Sequence, residues 1–197
     1  MNFSFNSNEE IEGYLVGLII GDGHIEPKTN RTVIASNDME FATKISSLLN
    51  HLEYRNSVFY DKSATVWKVA INSERLHKIL TGKYGIPLGN KTFTAFEPRL
   101  VQSQLNGFIA GIFDAEGWSE KDKGKYLKAR MKMKNESITS YIRKVLVEKG
   151  FQPKGHRKSE GSFVVEINKQ SNVRKFFDTF NLLHSKWLLV RKSSSVG

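Results

Sequence analysis

Leu15-Val16-Gly17-Leu18-Ile19-Ile20-Gly21-Asp22-Gly23 is answered 94 residues later by Ile109-Ala110-Gly111-Ile112-Phe113-Asp114-Ala115-Glu116-Gly117. Each stretch reads as an apolar helix that ends in an acid and a glycine. The small residues reach further back, because Gly13, Gly17 and Gly21 match Gly107, Gly111 and Ala115. A spacing of four places them on one helix face. Each glycine inside a helix costs about 1 kcal/mol relative to alanine, so the stripe needs a compensating gain. Close approach supplies one: without side chains on the stripe, each helix can pack nearly backbone to backbone against the other. Such stripes also pack helices in membranes, but Tyr14 to Gly21 is far shorter than the roughly 20 residues a span requires. Paired in this way, the helices set Asp22 and Glu116 side by side at their carboxyl ends, where the dipole already disfavours negative charge. Two repelling carboxylates at one point call for a cation.

Outward from the first stretch, Ser7 and Glu10 have the spacing of a capping box, and Ile11, Tyr14, Leu15, Leu18 and Ile19 follow at helical period. His24–Pro27 and Thr32–Asn37 read as a hairpin, Asp38 caps a helix carrying Phe41, Ile45, Leu48 and Leu49, and 56–60 with 66–72 form a second hairpin. A short helix over 73–80 precedes the breaker-rich Gly85-Ile86-Pro87-Leu88-Gly89-Asn90-Lys91. The second stretch predicts a helix over 100–115, and the same series then replays. Hairpins are expected over 117–122 with 126–135 and 151–156 with 162–168, helices over 136–149 and 172–180, and a helix or extended tail over 182–192. The fold class is therefore α+β: two pseudo-symmetric αββαββα halves, 1–97 and 98–197, each with a curved antiparallel sheet, joined through two packed helices.

The chain has 30 Lys+Arg and 20 Asp+Glu, a net charge of +10 that favours a polyanionic partner. Up to Pro98 there are 10 basic and 11 acidic residues, and from Arg99 onward 20 and 9, so the excess lies in the second half. With no cysteine there is neither a disulfide framework nor a thiolate site, and the five histidines lack the pair spacing of a zinc site. The polar, acidic amino terminus carries no secretory signature, so an intracellular location is expected. In Leu127-Lys128-Ala129-Arg130-Met131-Lys132-Met133-Lys134 cations and apolar residues alternate at period two. One face is expected to pack, and the other to form a row of positive charge that could enter a DNA major groove as a β-ribbon. Gln152, Lys154, His156 and Lys158 extend that track on the neighbouring hairpin, and by symmetry the first half offers Lys28, Arg31, Ser36 and Lys68.

The paired stretches resemble the signature of the LAGLIDADG homing endonucleases in the monomeric form that carries both copies in one chain. Residues 14–23 are most similar to archaeal intron-encoded members. The eighth signature position, the metal-binding acid of that family, falls on Asp22 and Glu116; the sixth is Ile20 in the first copy and Asp114 in the second, so the first copy departs from the literal motif. The resemblance implies further metal ligation by the carbonyls of Gly21 and Ala115, a lysine near each scissile phosphate at Lys91 and Lys186, and water-organising polar residues at Asn37 and Asn135. It implies Mg²⁺, with Mn²⁺ as an alternative, and a staggered double-strand cut across the minor groove of a long, imperfectly symmetric DNA target during intron homing. Chemically, two carboxylates beside a basic sheet suit metal-assisted phosphodiester hydrolysis. An RNA maturase bound to intron RNA, or a DNA-binding protein without cleavage, resembles the same scaffold and is the alternative. A membrane-surface role is disfavoured because the cations sit on strands rather than on one amphipathic helix.

Overall fold

The computed structural model describes residues 5–122, 126–157 and 160–187. Helix α1 (Asn8–Gly21) begins where Ser7 accepts a hydrogen bond from the Glu10 amide. The reciprocal half of the capping box is displaced by one residue, because the Glu10 carboxylate takes the Asn6 amide at 2.8 Å rather than that of Ser7. Apolar on all sides, α1 is buried almost throughout. Helix α4 (Leu105–Glu116) runs parallel beside it, and the glycine stripes are the reason the two backbones meet. A methyl group built on Gly111 would strike the carbonyl of Tyr14, and one on Gly17 would stand 2.7 Å from the Ile112 nitrogen.

Around this pair the chain folds twice into the same unit. β1 (Gly23–Ile25), β2 (Arg31–Ser36), β3 (Asn56–Asp61) and β4 (Val66–Asn72) form an antiparallel sheet in the order β1-β2-β4-β3. The second sheet, of β5 (Gly117–Asp122), β6 (Tyr126–Met133), β7 (Lys154–Arg157) and β8 (Phe163–Ile167), repeats that order as β5-β6-β8-β7. Helices α2 (Met39–His51), α3 (Glu74–Lys78), α5 (Glu136–Glu148) and α6 (Gln170–Thr179) complete the halves. Alternation fixes which sheet face packs. Ile34, Val69 and Ile71 are buried in register in the first sheet, as are Ala129, Met131, Val165 and Ile167 in the second. These join the α1–α4 residues in a single core, where each fully buried Leu, Ile or Phe contributes about 1.5–3 kcal/mol.

Several boundaries differ from the sequence reading, among them β7, which begins at Lys154 rather than residue 151. The α4 helix starts at Leu105 rather than residue 100, because Gln104 is buried and pulls 102–104 into a 3₁₀ turn. Its Oε1 accepts the Val101 amide at 3.1 Å while Nε2 donates to Glu12 and to Tyr84. After α3 the chain continues as one π turn over Ile79–Lys83 instead of stopping at Leu80, and Tyr84 closes it by donating its amide to the Ile79 carbonyl. Of the tail expected over 182–192, a 3₁₀ turn covers Ser185–Trp187 and residues 188–192 lie outside the described residues. Among the described residues no helix is long and apolar enough to cross a membrane.

Candidate active site

Parallel packing delivers the last turns of α1 and α4 to one end of the molecule. A methyl on Gly21 would lie 3.2 Å from Glu116 Cγ, so the second acid stands directly against the end of the first helix. Desolvation, and then the charge of Asp22, push Glu116 up to about 7 against the pull of Lys91 and Lys186. Asp22 is raised as well, by desolvation that outweighs the same two lysines. Among the described residues neither carboxylate accepts a hydrogen bond, so both acids present their oxygens without a partner from the protein.

Two lysines frame this pair with local symmetry. Lys91 donates from Nζ to the carbonyls of Ile19 and Gly23 and lies 3.5 Å from that of Gly21, crowning the end of α1. Lys186 donates to the Asp114 carbonyl of α4 at 2.6 Å. Each lysine serves the last turn of its own half and lines a cavity with the acid of the other. A cavity of about 280 Å³ holds Gly21, Lys91, Glu116, Lys134 and Asn135, and one of about 370 Å³ holds Asp22, Asn37, Ala115, His184 and Lys186. Desolvation drags Lys91 down to about 8, more than Asp22 and Glu116 raise it, and lowers Lys186 in the same way.

Beyond these, the sites differ from the sequence expectations in informative ways. Asn37 is exposed and lines the cavity that holds Asp22. Asn135 is buried and committed: Oδ1 caps α5 at the Ile138 amide, while Nδ2 donates to the carbonyls of Lys91 at 2.7 Å and Thr94 at 2.9 Å. It therefore positions the Lys91 segment, and its amide has no hydrogen left for a water. Ser36 does not face out with Arg31 and Lys68. It registers opposite Trp67 on the inner side and exchanges hydrogen bonds with Asp38, at 3.0 Å from the Asp38 amide.

The sixth signature position supplied residues that the motif alone did not flag. Asp114 is buried and accepts from the Tyr14 hydroxyl at 2.6 Å, the Leu183 amide at 2.7 Å and the Trp187 indole at 2.7 Å. Burial pushes it up to about 6 despite those donors. It binds the tail that carries Lys186. Asp38, the cap of α2, holds the same tail through Ser185 at 2.5 Å. His184 stacks on Phe41 with ring centroids 4.5 Å apart, and its Nδ1 accepts the Lys186 amide. Desolvation, then Lys186, drives that imidazole down to about 4, so it is neutral at pH 7. The capping potential of Asp38 was visible in sequence; its grip on a residue 147 positions away was not.

On the sheets, Lys28 lies in the exposed β1–β2 turn, and Arg31 and Lys68 reach the outer face, paired with Glu26 at 3.7 Å and Asp61 at 2.5 Å. In the second sheet Lys128, Arg130 and Lys132 do project outward, but not as a bare row of charge. Arg130 is clasped by Glu120 and Glu166, Lys128 stands 4.0 Å from Glu166, and Lys132 pairs with Glu160 at 3.0 Å. The alternation within β6 was legible; the acids arrive across the sheet, from β5, β8 and the loop before β8. Lys134 lines the Glu116 cavity, Gln152 and Lys154 are exposed, and His156 registers with Val164 on β7. Lys158 lies outside the described residues.

A family model described as a LAGLIDADG-like domain matches this chain twice, over residues 9–83 and 103–181. The chain is 22% identical over 187 residues to the replication factor C small subunit of Methanocaldococcus jannaschii, and the match takes in 92% of this chain but only 10% of that protein. In fold it resembles the N-terminal LAGLIDADG domain of DUF199/WhiA, with a TM-score of 0.67 at 16% identity, over 96% of this chain and 90% of that one. It also resembles I-DmoI as solved in complex with DNA and Mn, with a TM-score of 0.64 at 23% identity, over 90% and 99% of the two chains.

Proposed function

Starting from a chain that belongs to the LAGLIDADG-like domain family, we propose that it is a divalent-metal-dependent DNA endonuclease of the homing type. It would act as a monomer and make a staggered cut in both strands of a long, imperfectly symmetric site. One observation carries this reading: Asp22 and Glu116 meet at the ends of two glycine-faced helices, without hydrogen-bond donors of their own, between Lys91 and Lys186. A binding surface has no use for such a repelling pair. The fold likeness to I-DmoI, solved with DNA and Mn, supports it.

The donor set fits a hard cation. Two carboxylates with main-chain carbonyls, and room for waters, match the oxygen-only preference of Mg²⁺ and Mn²⁺; Asp22 and Glu116 would hold the ion, with the Gly21 and Ala115 carbonyls. When bound, the ion supplies Lewis-acid stabilisation of phosphodiester oxygens and makes water a better nucleophile. The remaining work falls to the chain. Lys91 and Lys186 place one positive charge beside each scissile phosphate, and Lys91, at about 8, holds a proton at Nζ near neutral pH that it can give to a leaving oxygen. Asn37 orders solvent beside Asp22. The lysine ammonium already seated on the carbonyls of Ile19 and Gly23, 3.5 Å from that of Gly21, favours a second reading, nucleic-acid binding without cleavage, whether of DNA or of intron RNA.

Cutting of a random double-stranded DNA library separates the two. The nuclease reading requires new ends with Mg²⁺, none with chelator, and none with Asp22→Asn. DNA or structured RNA retained without any cutting would establish the binding-only reading.

A further inference from the structure

The outer face of the second sheet holds an arrangement that a phosphate track does not explain. Arg130, at the centre of β6, sits in one cross-strand row with Trp118 of β5 and Glu166 of β8, and Lys154 of β7 lies beyond Glu166. Its guanidinium is gripped from two sides. Nε donates to Glu166 Oε2 at 2.5 Å, Nη2 contacts the same oxygen, and Nη1 meets Glu120 Oε1. Both acids are themselves fixed: Asn168 donates to Glu166 Oε1 at 2.8 Å, and the Trp118 indole donates to Glu120 at 3.3 Å. The Glu166 side chain is only 7% exposed and that of Arg130 20%. Against the desolvation that would raise it, Arg130 and Lys128 hold Glu166 below its ordinary range, so the carboxylate stays charged.

Two glutamates around one arginine, with Lys128 4.0 Å from one of them, leave the cluster without net positive charge, and that is the wrong electrostatics for a phosphate contact, which draws on unneutralised cations. It is the right construction for a base edge. A guanidinium has five N–H donors; Nε gives its one to Glu166, and even with one apiece turned to the glutamates they touch, Nη1 and Nη2 each keep another. Guanine offers N7 and O6 in the major groove as a matching pair of acceptors, and a bidentate arginine is the commonest way to read it. Holding the fork rigid beforehand removes the ordering cost that a free arginine meets on binding. We propose that Arg130, buttressed by Glu120 and Glu166, is a guanine-reading residue in the half-site covered by the second sheet. This rests on the DNA-binding reading above and names a determinant of its sequence preference.

The test is selection from a random 24-base-pair double-stranded DNA pool, by retention on the full-length protein in Ca²⁺, for wild type, Arg130→Lys and Glu166→Gln, each checked for folding by circular dichroism. The inference expects one strongly preferred guanine in the wild-type site. In both variants its preference should fall on the order of ten- to hundredfold, while the other preferred positions hold. Glu166→Gln should meanwhile bind unselected DNA more tightly and with a steeper salt dependence, because it removes a negative charge from the cluster. Unchanged positional preferences in folded variants would overturn the inference and leave DNA binding standing, the Arg130 cluster then being a structural ion pair. Loss of all preferred positions together in folded variants would also overturn it. If the wild type retained no DNA, the DNA-binding reading itself would fall and this inference with it.

Discussion

The two lysines at the helix ends occupy matched places but are secured by different chemistry. Lys91 lies in an irregular connection, and its own ammonium collects the Ile19 carbonyl of α1 and that of Gly23 just beyond it, while the α5 cap, Asn135, holds its backbone at 2.7 Å. Lys186 makes one carbonyl contact, and its segment is anchored instead by the carboxylate of Asp114, by the α2 cap Asp38 and by Lys44, which donates to the Leu183 carbonyl at 3.2 Å. Part of the difference lies at one signature position, where the second copy has the carboxylate of Asp114 and the first has Ile20. The matched lysines rest on different supports, since many arrangements can hold one ammonium in place. Both supports nevertheless share a plan: the cap of a helix in one half holds the lysine segment of the other.

The most severe test of functional equivalence removes either acid. Asp22→Asn and Glu116→Gln should each lower cleavage of both strands by at least about a thousandfold, the loss of several kcal/mol of charge stabilisation, read as product formed in Mg²⁺. A variant that still cuts one strand well would show that the acids serve the strands separately. Next come the lysines. Lys91→Met and Lys186→Met should each slow one strand on the order of a hundredfold, so nicked DNA should accumulate, with opposite strands cut in the two variants. Loss of both strands together would break the assignment of one lysine to each phosphate.

The supports should separate on stability. Asp114→Ala leaves the Tyr14 hydroxyl, the Leu183 amide and the Trp187 indole without their acceptor, and should cost about 3 kcal/mol in urea unfolding. Asn135→Ala loses a cap and two loop contacts and should cost about 1–2 kcal/mol. Equal losses would mean that the two clamps are energetically alike.

The smallest effect is the pH response. Glu116 titrates at about 7 when folded, above its ordinary value, so the native state binds the extra proton between about pH 4.5 and 7. Its contribution to stability is therefore lost as pH rises through that window. Glu116→Gln should raise the melting temperature more at pH 8 than at pH 5, by a few degrees. Activity, conversely, should rise through about pH 7 as Glu116 ionises and fall above about 8 as Lys91 loses its proton. More Mg²⁺ should move the rising limb towards acid, and a limb that stays fixed would remove Glu116 from metal binding.

What could be read from the sequence was what repeats or alternates locally. The paired stretches announced parallel helices and adjoining acids, because a stripe of small residues has few other uses in so short an apolar run. The strands followed from alternation, and Ser7 and Asp38 from helix-cap chemistry. The acids Glu120, Glu160 and Glu166 were hidden because strand register and the loop before β8, not local pattern, set them beside β6. Gln104 looked like an ordinary polar residue and Asn135 like one that orders water, and only long-range partners reveal why each is buried. Asp114 stood inside the signature, but nothing in the motif connects it to a tail some 70 residues onward, where its carboxylate meets the Leu183 amide.

The crossed caps have a consequence for the life of the chain. A half that has folded alone lacks the partner helix that seats its lysine, so it is an unarmed fragment. For the nuclease proposed above, competence to cut would come into being only when the second half closes on the first, and a partly folded copy would leave DNA intact.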